Sequence, residues 1–225
     1  MAVFGVLFME QILFLVGTST LETLLMVFFS TLFAVLIGFP LGVLLNVTNK
    51  YGITPKAGFN LVLSRIIDVL RSFPFVILMI VLLPLIRLIL GTAIGTTATI
   101  IPLSFAAAPF VARITENALN EVDMGVVQAA RAMGSTNWQI IYKVLVPEAM
   151  PSVVSGITLT VINLVSYSAM AGTLGGGGLG DLAIRYGYQR FRTDIMIASV
   201  VVIILMVAVI QFVGTMITNS MMSKR

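Results

Sequence analysis

Catalysis needs side chains that can attack carbon, move protons or hold a metal, and this chain is short of them. Its 225 residues include no cysteine and no histidine. Thiolate nucleophiles, disulfide frameworks, His/Cys zinc sites, Ser-His-Asp triads and HExxH centres are therefore excluded. Gly178-Leu179-Gly180-Asp181 spells the GxGD pattern of an intramembrane aspartyl protease. That chemistry needs two aspartates facing each other. The other candidate, Asp68, is predicted at the opposite end of the spans drawn below, and Asp181 in a polar outer loop. The run Gly175–Gly178 leads into Leu179, Gly180 and Asp181 without a lysine, and no GxxxxGK[ST] stretch occurs, so no nucleotide loop is expected. An ion-coupled transporter normally carries an ionisable residue inside a span, whereas the charges here fall near span ends. No catalytic, cofactor-binding or metal-ligating set is assigned.

The elements that would position any function are membrane spans. Hydrophobic residues make up 59% of the chain and charged residues 10%, against about 25% charged in soluble domains. The fold class is all-α and polytopic, with five transmembrane helices. Charge-free stretches run from Glu22 to Lys50, Arg87 to Arg113, Glu148 to Asp181 and Asp194 to Lys224. The fifth span, Ser72 to Ile86 at its core, reaches full length only through Arg65, Asp68 and Arg71. A charge at the bilayer centre costs about 2.5–3.5 kcal/mol, which puts those three at the cytoplasmic end. Asp68 lies three residues from each arginine, a spacing that allows pairing along one helix face. The expected spans are about 18–46, 65–87, 95–117, 149–173 and 195–218 within a transmembrane domain over 18–220. No basic region precedes the apolar residues 1–9, so 1–17 is read as an interfacial segment rather than a signal peptide. Pro40, Pro74, Pro84, Pro102 and Pro109 fall within spans, where each removes a helix hydrogen bond.

Basic residues give the orientation. One side holds Lys50, Lys56, Arg65, Arg71, Arg113, Arg131, Lys143, Lys224 and Arg225; the other holds Arg87, Arg185, Arg190 and Arg192. The richer side should be cytoplasmic, with the N-terminus outside and the C-terminus inside. The formal charge of +4 is read as this bias and not as nucleic-acid affinity, because no dense Lys/Arg block is present.

The cytoplasmic loop between the third and fourth spans, about 118–147, carries the most information. Gly134 and Ser135 divide it into two short helices, with Ser135 as the expected N-cap of the second. Val126, Ala129, Ala130 and Met133 recur at helical spacing, so the first helix has an apolar face that needs lipid or a partner. Gln128-Ala129-Ala130, then Gly134, then Val144 and Val146-Pro147, resemble the EAA loop of ABC-importer permeases, with Gln in place of Glu, Val in place of Ile and Val in place of Leu. Gln keeps hydrogen-bonding capacity and loses the charge. Glu22-Thr-Leu, Gly38-Phe-Pro-Leu-Gly, Arg71-Ser-Phe-Pro-Phe, Ala107-Ala-Pro-Phe, Glu116-Asn-Ala-Leu, Tyr167-Ser-Ala-Met and Gly175–Gly180 are similar to the methionine-importer subgroup of that family.

The resemblance implies a bacterial inner-membrane permease subunit working as a homodimer. It implies a coupling helix around Gln128, Ala129, Ala130, Met133, Gly134 and Pro147 that docks on a dimer of separate ATPase subunits. ATP and magnesium would bind there and not on this chain, and an extracytoplasmic methionine-binding protein would deliver substrate. Another small amino acid is the alternative cargo. Along the fourth span, Thr160, Asn163, Tyr167 and Met170 share one helical face. Either they hydrogen-bond between helices, or they line the pathway with Met170 as an apolar gate. Arg71 is either an interfacial anchor or part of the inner mouth. Gly175–Gly180 is either a tight outer turn or a contact for the binding protein. Arg185, Tyr186, Tyr188, Arg190 and Arg192 form either a docking surface or an interfacial belt.

Overall fold

The structure is a computed structural model of the chain. It describes residues 2–223, with side chains from Glu10 onward; Lys224 and Arg225, counted above for orientation, lie outside the described residues. The described residues form helices and connections only. In chain order these are α1 (Ala2–Thr48), α2 (Ala57–Ser72), α3 (Phe75–Leu90), α4 (Thr96–Asn120), α5 (Met124–Ala132), α6 (Asn137–Ile140), α7 (Val146–Gly172), α8 (Gly178–Leu182) and α9 (Thr193–Met222). A π-helical turn over Ile141–Leu145 fuses α6 to α7, and another follows α8 at Ala183–Tyr188. Four helices are long and apolar enough to cross a bilayer, and α2 with α3 supplies a fifth crossing when the broken pair is counted together.

One sequence expectation about continuity changes. The segment expected as one span over 65–87 is broken at Phe73 and Pro74, which are extended (ψ 125° and 129°). Proline has no N–H for the α2 ladder, and its ring disfavours helical geometry at the residue before it. Pro40, Pro84 and Pro151, by contrast, sit inside helices that continue past them. At the other end, α1 runs unbroken through position 18, as expected of an interfacial helix that leads directly into a span. The Thr18 and Thr20 hydroxyls donate back to Phe14 and Val16 carbonyls, so these polar residues are absorbed by the helix.

The chain divides into two compact units, and α1, α4, α7 and α9 each contribute a part to both. One unit takes the chain up to Leu32, Pro74–Phe105 and Val161–Ile210; the other takes Phe33–Phe73, Ala106–Thr160 and Gln211 onward. In the second unit, Gly38 and Gly42 let α1 press on α4 at Ala108/Val111 and Ala112/Thr115, where a Cβ would collide with backbone carbonyls. This is the small-xxx-small crossing that membrane helices favour. One core cluster there joins Leu45, Ile67 and Ala112; another joins Leu119, Val127, Ile140, Leu145 and Val153. Two side-chain amides are paired there: Asn60 Nδ2 donates to Leu45 O (2.7 Å), and Asn46 Nδ2 to Asn120 Oδ1 (2.7 Å).

The first unit is pinned by its glycine-rich segment. The Gly178 N–H donates to Glu22 Oε2 (2.7 Å) and the Leu179 N–H to Thr23 Oγ1 (2.9 Å). Gly177 and Gly178 take φ of +80° and +77°. A Cβ on Gly178 would lie 2.6 Å from Thr23 Oγ1. Only glycine meets both demands.

Candidate coupling segment and pathway face

The segment after α4 is built by caps. Asp123 caps α5 by accepting the Gly125 N–H (2.8 Å). At the other end of α5, Gly134 is left-handed (φ +82°); its N–H donates to Arg131 O (3.0 Å), and the Ser135 N–H donates to Ala130 O (3.1 Å). Those two bonds are the 5→2 and 6→1 pairs of a Schellman motif. Ser135 is spent in this motif, so the N-cap of α6 is Thr136 and not Ser135. Thr136 Oγ1 accepts the Gln139 N–H (3.3 Å) while Gln139 Oε1 accepts the Thr136 N–H (2.8 Å), a complete capping box.

These caps fix which side chains face outward. Val127 and Ala130 are buried against the unit's own core. Gln128, Ala129, Val126 and Met133 point away from it, Met133 with 80% of its surface exposed. The apolar face expected over Val126, Ala129, Ala130 and Met133 is therefore split, with Ala130 turned inward and the other three outward. Met124, Trp138 (73% exposed) and Tyr142 extend the outward apolar surface beyond α5. Pro147 is exposed in the first turn of α7. Behind Gln128 and Arg131 lies a cavity of about 360 Å3, also bordered by Asn46, Asn49 and Tyr51.

The four residues singled out on the fourth span separate as well. Thr160 is buried, and its hydroxyl donates to Gly156 O (3.0 Å). Tyr167 is half-buried, its ring stacked on Phe75 at 4.9 Å and 4°. Asn163 and Met170 are exposed, with Ser166 between them. The exposed register on this stretch of α7 is thus 163, 166 and 170, a narrower face than the sequence suggested. Arg71, in the other unit, is exposed and lies over the Phe110 ring at 4.8 Å.

Sequence reading missed the polar network around Arg113. Arg113 Nη2 donates to Asp68 Oδ1 (2.7 Å) and Ser64 Oγ (2.5 Å), Nε to Asp68 Oδ1 (3.1 Å), and Nη1 to Glu116 Oε2 (2.6 Å). Asp68 therefore pairs across helices, not along α2 with Arg65 or Arg71. The i,i+3 spacing of Arg113 and Glu116 was the available signal.

Asp181 pairs with Arg185 at 2.6 Å. Burial holds its carboxyl above the usual carboxylate range, against the opposing pull of Arg185. Both aspartates weighed for a protease are thus engaged with arginines. The glycine-rich segment is folded inward, with Gly176, Gly178, Leu179 and Gly180 buried. The exposed part of this connection includes Arg185, Tyr188, Arg190 and Phe191, while Tyr186 and Arg192 are half-buried.

Comparison with known proteins follows this geometry. Residues 38–221 match the family described as binding-protein-dependent transport system inner membrane component. A probable D-methionine transport system permease protein of Pasteurella multocida is 52% identical over 200 residues, covering 89% of this chain and 92% of its own. A methionine import system permease protein of Bacillus subtilis is 44% identical over 176 residues, covering 78% and 79%. Among solved structures, an inward-facing conformation of the MetNI methionine ABC transporter superposes with a TM-score of 0.92 at 44% identity, covering 94% of this chain and 98% of that one. The chain belongs to the family of binding-protein-dependent transport system inner membrane components.

Proposed function

We propose that this chain is the permease subunit of an ATP-driven importer for methionine. One observation carries the coupling half of that reading. The segment from Met124 to Tyr142 is rigidly capped, yet it turns Met124, Val126, Met133, Trp138 and Tyr142 outward. An apolar surface on a polar-ended segment outside the spans fits a protein partner. The partner is a dimer of ATPase subunits on the cytoplasmic side, which supplies ATP and magnesium chemistry; this chain carries no ATPase site of its own. The substrate half rests on relatives named for methionine that span most of the chain.

Two copies of the chain enclose the pathway, with the N-terminus outside and the C-terminus inside. Binding and closing of the ATPase dimer moves Gln128, Ala129, Ala130, Met133, Gly134 and Pro147 as one body. That motion tips the spans between inward-facing and outward-facing states whose energies partners can bias. Asn163 and Met170 face the pathway, because an exposed amide within a span is costly against lipid. Stacking on Phe75 holds Tyr167 one turn away, and the flexible Met170 thioether closes the route. Arg71 stands at the inner mouth. An extracytoplasmic methionine-binding protein presents substrate from the other side.

The test is uptake of labelled methionine into proteoliposomes holding the chain, its ATPase and its binding protein. Unlabelled L-methionine, D-methionine and other amino acids serve as competitors. ATP-dependent uptake competed by methionine is expected. Uptake competed only by another amino acid would overturn the substrate, and none at all in a complex that hydrolyses ATP would overturn the function.

A further inference from the structure

The part of α9 from Gln211 onward sorts its residues by polarity in a way that packing against lipid does not require. Gln211, Thr215, Thr218 and Asn219 follow one another at steps of four, three and one, so they share one helical face. Phe212, Val213, Met216 and Ile217 are exposed on the rest of the helix. Across from the polar face, α7 contributes Ser155 and Thr158. Together these residues line two adjoining hollows of about 190 and 420 Å3, which share Ser155, Leu159 and Thr218.

The floor of this groove is fixed. Gly214 packs on Thr158 with no room for a Cβ, which locks α9 to α7. Its walls retain unused hydrogen-bonding capacity. The Thr158 hydroxyl is satisfied by Val154 O (2.9 Å) and the Gln211 amide by Thr215 Oγ1 (3.1 Å), but Thr218 Oγ1 is buried with no partner. The exposed Ser155, Thr215 and Asn219 give the groove polar surface that lipid tails match poorly and water matches well. At one end the groove reaches Asn117, Ser152 and Glu121, where the Ser152 hydroxyl donates to Glu121 Oε2 (2.9 Å). Glu121 and Ser152 flank the 124–147 segment in the chain, so that end opens on the side of the proposed ATPase.

We infer that the α7–α9 groove is a wetted wall of the route by which substrate leaves toward the ATPase side. It offers hydroxyls and amides to a small zwitterion and a carboxylate, Glu121, to its ammonium end. This rests on the proposed importer function. It adds α9, to which no role was assigned from sequence, and a charged exit residue.

The absence of native cysteine makes the test clean. Single cysteines are placed at 155, 215 and 219 in the groove and at 213 and 217 on the apolar face, in the reconstituted complex. Only variants that retain ATP-dependent methionine uptake are compared, so loss of uptake in the unsubstituted chain would indict the importer reading and not this one. With a cationic, membrane-impermeant methanethiosulfonate, the groove positions should react at least about tenfold faster than 213 and 217 in the nucleotide-free state, as expected for water against lipid contact. Glu121→Gln should slow the cationic reagent at 155 several-fold while leaving a neutral reagent unchanged. Equal rates at groove and apolar positions would overturn the inference. So would slow labelling at 215 and 219 together with efficient disulfide formation between two copies, which would make the groove a dimer contact. An unchanged reagent ratio in Glu121→Gln would remove the role given to Glu121.

Discussion

Removing Arg113 tests how the second unit is held together. Its side chain is 16% exposed and bridges Asp68 and Ser64 of α2 to Glu116 on α4. The two carboxylates differ: Glu116 is 9% exposed and Asp68 47%. In Arg113→Ala the buried Glu116 is left charged and unpaired. Breaking a buried pair from one side costs about 3–5 kcal/mol. Asp68→Asn leaves Arg113 still bonded to Glu116 and removes only a half-exposed charge, a change worth about 0–1 kcal/mol. Arg113→Lys keeps the charge but has one nitrogen where Arg113 uses three, so it should fall between these. The double variant Arg113→Met/Glu116→Gln removes the stranded charge and should recover most of the loss, to within about 1–2 kcal/mol of the parent. Thermal midpoints in detergent, followed by the monodisperse fraction on size exclusion, give the ranking. At about 2–4 °C per kcal/mol, Arg113→Ala should lose on the order of 10 °C. The reasoning is refuted if Asp68→Asn costs as much as Arg113→Ala, or if the double variant is no more stable than Arg113→Ala.

Three further outcomes are expected. Gly178→Ala forces a left-handed alanine against Thr23 and Met26 and should cost about 2–5 kcal/mol from backbone strain and overpacking together, whereas Gly58→Ala, in open space on α2, should be neutral or stabilising by about 0.5–1 kcal/mol; parallel melts compare them. Tyr167→Leu should lose about 0.5–1.5 kcal/mol of ring stacking beyond any change in buried area, while Tyr167→Phe should keep it, measured the same way. Asp181 lies outside the spans, and burial raises its carboxyl above the usual range. The folded chain therefore binds that proton more tightly than the unfolded chain, and stability falls as pH rises from the ordinary carboxylate value through the raised one. Asp181→Asn removes this dependence, so its melting midpoint should gain on the parent as pH rises above the ordinary carboxylate value of about 4; a difference that stays constant as pH rises would contradict the assignment.

Much of the architecture is written in local composition. The four charge-free stretches each contain most of one long helix (α1, α4, α7 or α9), because a span must exclude charge over about 20 residues. The division of the 124–147 segment at Gly134 follows from glycine's access to positive φ. The choice of Thr136 over Ser135 as cap was legible in Thr136-Asn-Trp-Gln139, whose spacing is that of a capping box. Other features depend on partners distant in sequence. Asp68 meets Arg113 from 45 positions away, and Glu22 meets Gly178 from 156. No periodicity announces such pairs. The break at Phe73–Pro74 sits between a basic and an apolar stretch that together read as one span. On α7 the residues are three or four apart in either register, so sequence alone does not say that Thr160 and Tyr167 turn inward while Asn163 and Met170 stay exposed. The groove on α9 was hidden for a related reason: its polar residues look like scattered tolerances until α7 is placed beside them.

The central claim is that the capped segment around Gly134 transmits ATP hydrolysis to the pathway. Gly134 has φ +82° with open space where a Cβ would stand, so Gly134→Val introduces backbone strain of at least about 1–2 kcal/mol and bends the segment away from its Schellman geometry. The most direct measurement is methionine transported per ATP hydrolysed by the reconstituted complex, for the parent chain and for Gly134→Val. The account requires the ratio to collapse while the complex stays assembled and ATP turnover continues. An unchanged ratio in an assembled Gly134→Val complex would contradict it.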